Sequence, residues 1–411
     1  MCHSIPDAVG LAIDTPFGTV IHTGDFKFDY TPVDGQLTDY GALAEFGRRG
    51  VLALLSDSTN IEQPGYTPSE RVVSEAFEKV FAQARGRVIV STFASNISRV
   101  QQVIECALRH KRRVAVVGRS MVENVRMARL LGFLNAPDDL FIRPEDMDRM
   151  PPSHVAIVCT GTQGEPTSAL VRMANQEHRQ VAIQQGDTVI LSASAIPGNE
   201  ELVHRTLDNL FKLGATVYYP RLRPVHVSGH ASQEEQKMML SLTRPRYFVP
   251  ASGEYRHLVL HGELARDLGM PEENIFIVRN GQVIEFDSEG ARLGERVAGG
   301  HVLVDGTGVG DVGEVVLRDR RLLSRDGFVV VVVARDQDTG ELVDGPELVS
   351  RGFVFMRDAE QLMEEARSVV IGALDSGHRD TITARVHDQL AEFLYERTHR
   401  RPMIFPVVLD V

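Results

Sequence analysis

Residues 87–117, RVIVSTFASNISRVQQVIECALRHKRRVAVV, hold two short apolar runs around one helix-length amphipathic segment. RVIVS (87–91) and RVAVV (113–117) are β-branched and too short for helices, so both read as strands covered on two faces. Between them Val100, Val103, Ile104 and Ala107 recur at helical spacing, which predicts a helix over 98–110. A strand, a helix and a second strand joined by short loops make a parallel crossover. Outward from this stretch the pattern repeats, with predicted helices at 69–84, 122–131 and 200–213 and predicted strands at 155–159, 188–193 and 216–219. Thr67 and Ser69 are the N-cap candidates of the first helix. The alternation over residues 66–230 implies a doubly wound α/β domain.

The flanks read differently. Residues 10–15 and 18–22 are strand-like around a Pro-Phe-Gly turn, and VLALLSDSTN (51–60) reads as a buried strand delivering small polar residues to a loop. After the block come a helix at 233–242, a strand at 246–249, a helix at 256–268 and short strands at 275–278 and 283–286. A Gly-rich connector (297–313) leads to a tail with strands at 328–334, 348–355 and 404–409 and helices at 359–374 and 381–397. The all-valine run 329–333 favours a central strand over an interface edge.

Composition narrows the function. The 411 residues are 43% hydrophobic and 24% charged, which excludes wholesale disorder. Three cysteines (Cys2, Cys106, Cys159) allow neither a disulfide framework nor a Cys-rich zinc site, and fit a reducing cytosol. No apolar run has membrane-spanning length, and the first residues carry no signal-peptide pattern. A net charge of −12 disfavours a nucleic-acid coat but allows a narrow basic channel, with Arg99, Arg119, Arg221, Arg223 and Arg256 as candidate phosphate partners.

Histidine stands beside small polar or acidic residues at His3 (HSIPD), His22 (HTGD) and His226 to His230 (HVSGH). Imidazole and carboxylate are the usual ligands of hydrolytic zinc, and loops after strands are where such sites are built. Each cluster alone has a plainer reading: a solvated terminal histidine, an Asx-turn, a loop pair. Thr160-Gly161-Thr162-Gln163-Gly164 and Ser91 to Asn96 follow strands and offer backbone N–H groups to a phosphate. Gly308, Gly310 and Gly313 spell G-x-G-x-x-G, but the following EVVLRD reads as a strand, so a dinucleotide site is disfavoured.

In order, HSIPDAVG, HTGDFKFD, SDSTN, HVSGHAS and GEYRHL resemble ribonuclease J, a β-CASP branch of the metallo-β-lactamase superfamily. The resemblance implies an α/β fold. A partial β-lactamase domain (1–65 and 231–315) is interrupted by a β-CASP domain (66–230), then come a linker (316–324) and an assembly domain (325–411). It implies a zinc-dependent, cytoplasmic RNA-processing and RNA-decay nuclease, working 5′ to 3′ with internal cleavage as a second mode. By the same resemblance His3 and Asp25 are metal ligands, and Asp25, Asp57 and His230 are catalytic. His226, Val227, Ser228, Gly229 and His230 hold the RNA phosphate, and Ser91, Asn96, Thr160 and Gly161 line the RNA path. The implied partners are RNA, further copies forming a homodimer or homotetramer, and other RNA-decay proteins, with no membrane.

Two features depart from the family. Its H-x-H-x-D-H motif would precede His3, and Ser252 stands where the family has a third histidine ligand. An intact family site holds two zinc ions, whereas His3 and Asp25 alone make a poor zinc shell. The expectation is therefore weak zinc binding and impaired activity for this chain. The rival reading is a catalytically inactive paralogue that binds RNA or dimerises with an active partner. A small-molecule β-lactamase-type hydrolase is disfavoured, because it needs no inserted α/β block.

Overall fold

The computed structural model describes residues 1–300, 302–305, 308–309, 313–336, 339, 341–353, 359–374 and 379–411. They divide into two compact units, Met1–Gly299 and Gly300–Val411.

The first unit carries two sheets. In the six-stranded one, Phe141–Ile142, Arg113–Val117, Val155–Cys159, Val88–Ser91, Thr188–Leu191 and Thr216–Tyr218 lie side by side, all parallel. Val88 and Val90 point to one face, against Phe77, Phe81, Val103 and Ile104. Ile89 points to the other, against Leu170, Leu207 and Leu210. This two-sided burial is why the strands read as unbroken apolar runs. The doubly wound block therefore stands as the alternation predicts.

Its first helix, Arg71–Gln83, starts differently: neither Thr67 nor Ser69 is its N-cap, and Glu70 holds that place with no side-chain cap bond. The Thr67 hydroxyl instead donates to the His230 carbonyl oxygen at 2.7 Å and lies 2.8 Å from the Ser232 hydroxyl, which ties this turn to the HVSGH loop.

The second sheet runs Leu11–Thr15, Gly18–His22, Val51–Asp57, Pro245–Ala251. The first pair is antiparallel and the other two pairs are parallel. A helix at Tyr40–Arg49 that hydropathy does not reveal packs beneath this sheet with Gln233–Thr243. Two glycines blur its pattern, but the Asp39 side chain caps it by accepting from the Ala42 N–H at 2.8 Å. The strand predicted at 275–278 does not form; only Ile275 bridges to Phe248, and the local hairpin is Gln282–Phe286 with Ala291–Arg296.

In the second unit Phe328–Arg335 is the central strand, antiparallel to Leu342–Arg351 and parallel to Met403–Asp410. Val329, Val331 and Val333 pack on Ala366, Val370, Leu390 and Leu394 of the helices Ala359–Ala373 and Arg379–Thr398. The segment predicted as strand and linker is a helix, Glu314–Asp326. Its Leu and Arg content outweighs the two valines over thirteen residues. The G-x-G-x-x-G thus does precede a helix, with Gly310 outside the described residues. Even so, Val304–Asp305 before it pairs antiparallel with Gly308–Val309, which is not the parallel unit a dinucleotide fold requires. No described helix is long and apolar enough to cross a membrane.

Candidate metal and phosphate site

The parallel strands Gly18–His22, Val51–Asp57 and Pro245–Ala251 end at one edge, the carboxyl edge where α/β sheets place ligands. Asp25 stands exposed in the loop after the first. Asp57 closes the second, its N–H donating to the Thr23 hydroxyl at 3.1 Å. Ser252 follows the third, one residue beyond Ala251, which pairs with Asp57.

His3 reaches this edge because Cys2 bridges to Lys27, whose N–H donates to the Cys2 carbonyl at 2.9 Å. The HVSGH loop arrives from the six-stranded sheet. Gly229 is required there, since a Cβ on it would lie 2.6 Å from His3 Cε1. As a result the ligand atoms of His3, Asp25 and His230 all lie within 4.8 Å of one another. Three segments far apart in sequence converge on one point.

The hydrogen bonds define the rings. His3 Nδ1 donates to the Gly229 carbonyl oxygen at 2.8 Å, and His230 Nδ1 donates to Asp57 Oδ2 at 2.7 Å. Both partners only accept, so each neutral ring carries its proton on Nδ1 and its lone pair on Nε2. Asp57 Oδ1 accepts from the Thr59 hydroxyl at 2.6 Å and the Thr59 N–H at 3.0 Å. Burial would raise the Asp57 pKa, but His230 and Thr59 hold it below the usual carboxylate range. Burial likewise depresses His230, yet Asp57, with Asp25 beyond it, outweighs this and raises its pKa. His3 is lowered, mainly by burial.

The donor set of two imidazoles and a carboxylate suits a divalent transition ion, and each imidazole is oriented through its Nδ1, as metal-bound histidines are. The residues present therefore fit one ion. Motif counting retains His3 and Asp25; the fold brings His230 within reach of both.

Other anticipated residues fall elsewhere. Val227 is packed into the core of the six-stranded sheet, and Ser91 is fully buried with no partner for its hydroxyl. The Asn96 side chain caps the Ile97–Arg109 helix by accepting from the Arg99 N–H at 3.0 Å. Those three side chains face inward. Gly161 is buried, Thr160 half-buried, and both lie at the carboxyl end of Val155–Cys159. Arg119, Arg221, Arg223 and Arg256 are exposed, but Arg99 is not: it is buried against Glu70 at 2.8 Å, so it does not meet a phosphate. Thr23, Thr59 and Glu235 were missed. Glu235 accepts from the N–H groups of Phe28, Thr67 and Ser232 at 2.7, 2.7 and 2.8 Å, tying the site's loops together. The Ser232-x-x-Glu235 capping box was its visible signal.

The chain is similar to known proteins along its whole length. Three family models match: the ribonuclease J β-CASP domain over residues 85–210, a Zn-dependent metallo-hydrolase RNA specificity domain over 219–278, and the ribonuclease J C-terminal domain over 315–411. Ribonuclease J2 of Bacillus subtilis is 46% identical over 415 residues, covering 100% of this chain and 75% of its own. Ribonuclease J 1 of Streptococcus pyogenes is 45% identical, covering 99% and 74%, and Ribonuclease J 2 of Staphylococcus aureus is 40% identical, covering 100% and 74%. These matches cover essentially the whole chain, and the chain belongs to the ribonuclease J family of metal-dependent RNA-processing nucleases.

Proposed function

We propose that this chain hydrolyses RNA phosphodiesters 5′ to 3′ from monophosphorylated ends, with internal cleavage as a second mode, and that its activity is impaired because Ser252 stands where the resemblance places a ligand imidazole. The observation that carries the reading is the convergence of His3, Asp25 and His230 within 4.8 Å, with Asp57 behind His230. His3 and Asp25 hold the metal, for which zinc suits the donors; an intact family site would hold two ions, and the residues present here fit one. Bound zinc supplies a hydroxide near neutral pH and a counter-charge to the phosphate. His226, Ser228 and Gly229 hold the phosphate, while His230, whose pKa Asp57 raises, carries a second proton on Nε2 when no metal occupies that nitrogen and gives it to the leaving oxygen. Thr160 and Gly161 border the RNA path. Three free cysteines fit a cytosolic location, and the tail unit supports a homodimer or homotetramer.

The test is zinc-loaded protein on 5′-monophosphorylated RNA. Stepwise 5′ products are expected, with His230→Ala lowering the rate by about 10²–10⁴-fold. Activity untouched by Asp25→Ala would overturn the proposal. The second reading, an inactive RNA-binding or dimerising paralogue, is favoured by the hydroxyl of Ser252 where the resemblance places an imidazole. Salt-sensitive RNA binding without cleavage by the loaded protein would establish it.

A further inference from the structure

We propose that Arg99 is a positioning residue that fixes which ring nitrogen of His226 carries the proton, so that His226 meets an RNA phosphate as a donor. The inference rests on the reading of the HVSGH loop as the phosphate holder.

Arg99 is fully buried, and its guanidinium is held on every side. Nε and Nη2 donate to the Glu70 carboxylate at 3.2, 2.9 and 2.8 Å. Nη1 donates to the Ser192 hydroxyl at 2.6 Å, and that hydroxyl donates onward to the Val225 carbonyl at 2.6 Å, one residue before His226. The remaining Nη1 hydrogen is shared between His226 Nδ1 and the Ser192 carbonyl oxygen, each at 3.3 Å.

A guanidinium has no acceptor, so Nδ1 of His226 must present its lone pair and the proton must sit on Nε2. Burial first, then the Arg99 and Lys27 charges, push the His226 pKa down to about 3, so the ring stays neutral. Four residues on, His230 has the opposite arrangement, with its proton on Nδ1 facing Asp57. One short loop thus shows an N–H from His226 and a metal- or proton-directed nitrogen from His230. A phosphate oxygen only accepts, so a His226 ring free to exchange tautomers would offer it a repelling lone pair part of the time. Arg99 acts through His226 and does not touch RNA.

Ring-nitrogen NMR of the full chain labelled in histidine tests this, with His226→Ala assigning the resonance. The wild-type ring should show the Nε2–H tautomer. Arg99→Met alone would strand the buried Glu70 charge, so it is paired with Glu70→Gln. In that double variant the Nδ1–H form should appear, and affinity for a 5′-monophosphorylated oligonucleotide should fall on the order of tenfold, with zinc stoichiometry unchanged. Arg99→Lys, which keeps a donor, should hold the tautomer and most of the affinity. A wild-type Nδ1–H ring, or an unaltered tautomer in the double variant, overturns the proposal. Wild-type RNA affinity in His226→Ala would instead overturn the phosphate reading of the loop, because the tautomer is read from the ring spectrum alone.

Discussion

Asp57 shows how much one side chain decides here. It is 1% exposed, yet it carries a charge because His230 and Thr59 supply three hydrogen bonds to it. Asp57→Asn keeps the shape but can turn an N–H toward His230 Nδ1, leaving the ring in the wrong orientation. Cleavage by the zinc-loaded variant should fall about 10²–10⁴-fold with RNA affinity nearly unchanged, read as kcat against KM. His261 affects stability instead. It is fully buried, with Nδ1 2.9 Å from the Ser58 hydroxyl and Nε2 unpartnered. Burial, only partly offset by Asp57, pushes its pKa down to about 3. Between that value and about pH 6.5 the unfolded chain binds the proton and the folded chain does not, so stability is complete above this window and falls as pH drops through it. The loss is about 2 kcal/mol at pH 5. His261→Leu should remove that part of the acid limb, as measured by urea midpoints at pH 7 and pH 5.

The helix Tyr40–Arg49 depends on a close approach. Gly47 faces Leu242 in the Gln233–Thr243 helix, and a Cβ there would lie 2.0 Å from the Leu242 carbonyl oxygen. Backbone cannot yield as a flexible side chain does, so Gly47→Ala should force the helices apart and cost about 1–3 kcal/mol in urea unfolding. The same glycine lowers helix propensity, which is why this element is invisible to periodicity while the Asp39 cap reveals it only in hindsight. The Glu314–Asp326 helix erred in the other direction: two leading valines suggest a strand, and the long charged remainder overrides them.

Across the molecule, the two units have separate cores, with Val329, Val331 and Val333 serving only the second. Removal of residues 300–411 should therefore leave the metal stoichiometry and unfolding midpoint of residues 1–299 unchanged, while light scattering reports a smaller assembly. An unchanged assembly state would remove the assembly role from the tail.

The parallel block was legible because strands buried on both faces must be apolar throughout and crossover helices must be amphipathic, as residues 87–117 show. The motif residues His3, Asp25, Asp57 and His230 were legible as types, since few side chains bind metal or move protons. Their meeting was not. His3 and Asp25 stand at one carboxyl edge through the Cys2–Lys27 bridge and parallel strand pairing, and His230 arrives from the other sheet. Arg99 marks the same boundary: as a sequence symbol it suggests a phosphate contact, whereas the fold buries it against Glu70. Residue type sets what a side chain can do, and long-range packing sets which partner it does it to, because contact between distant segments depends on the whole chain.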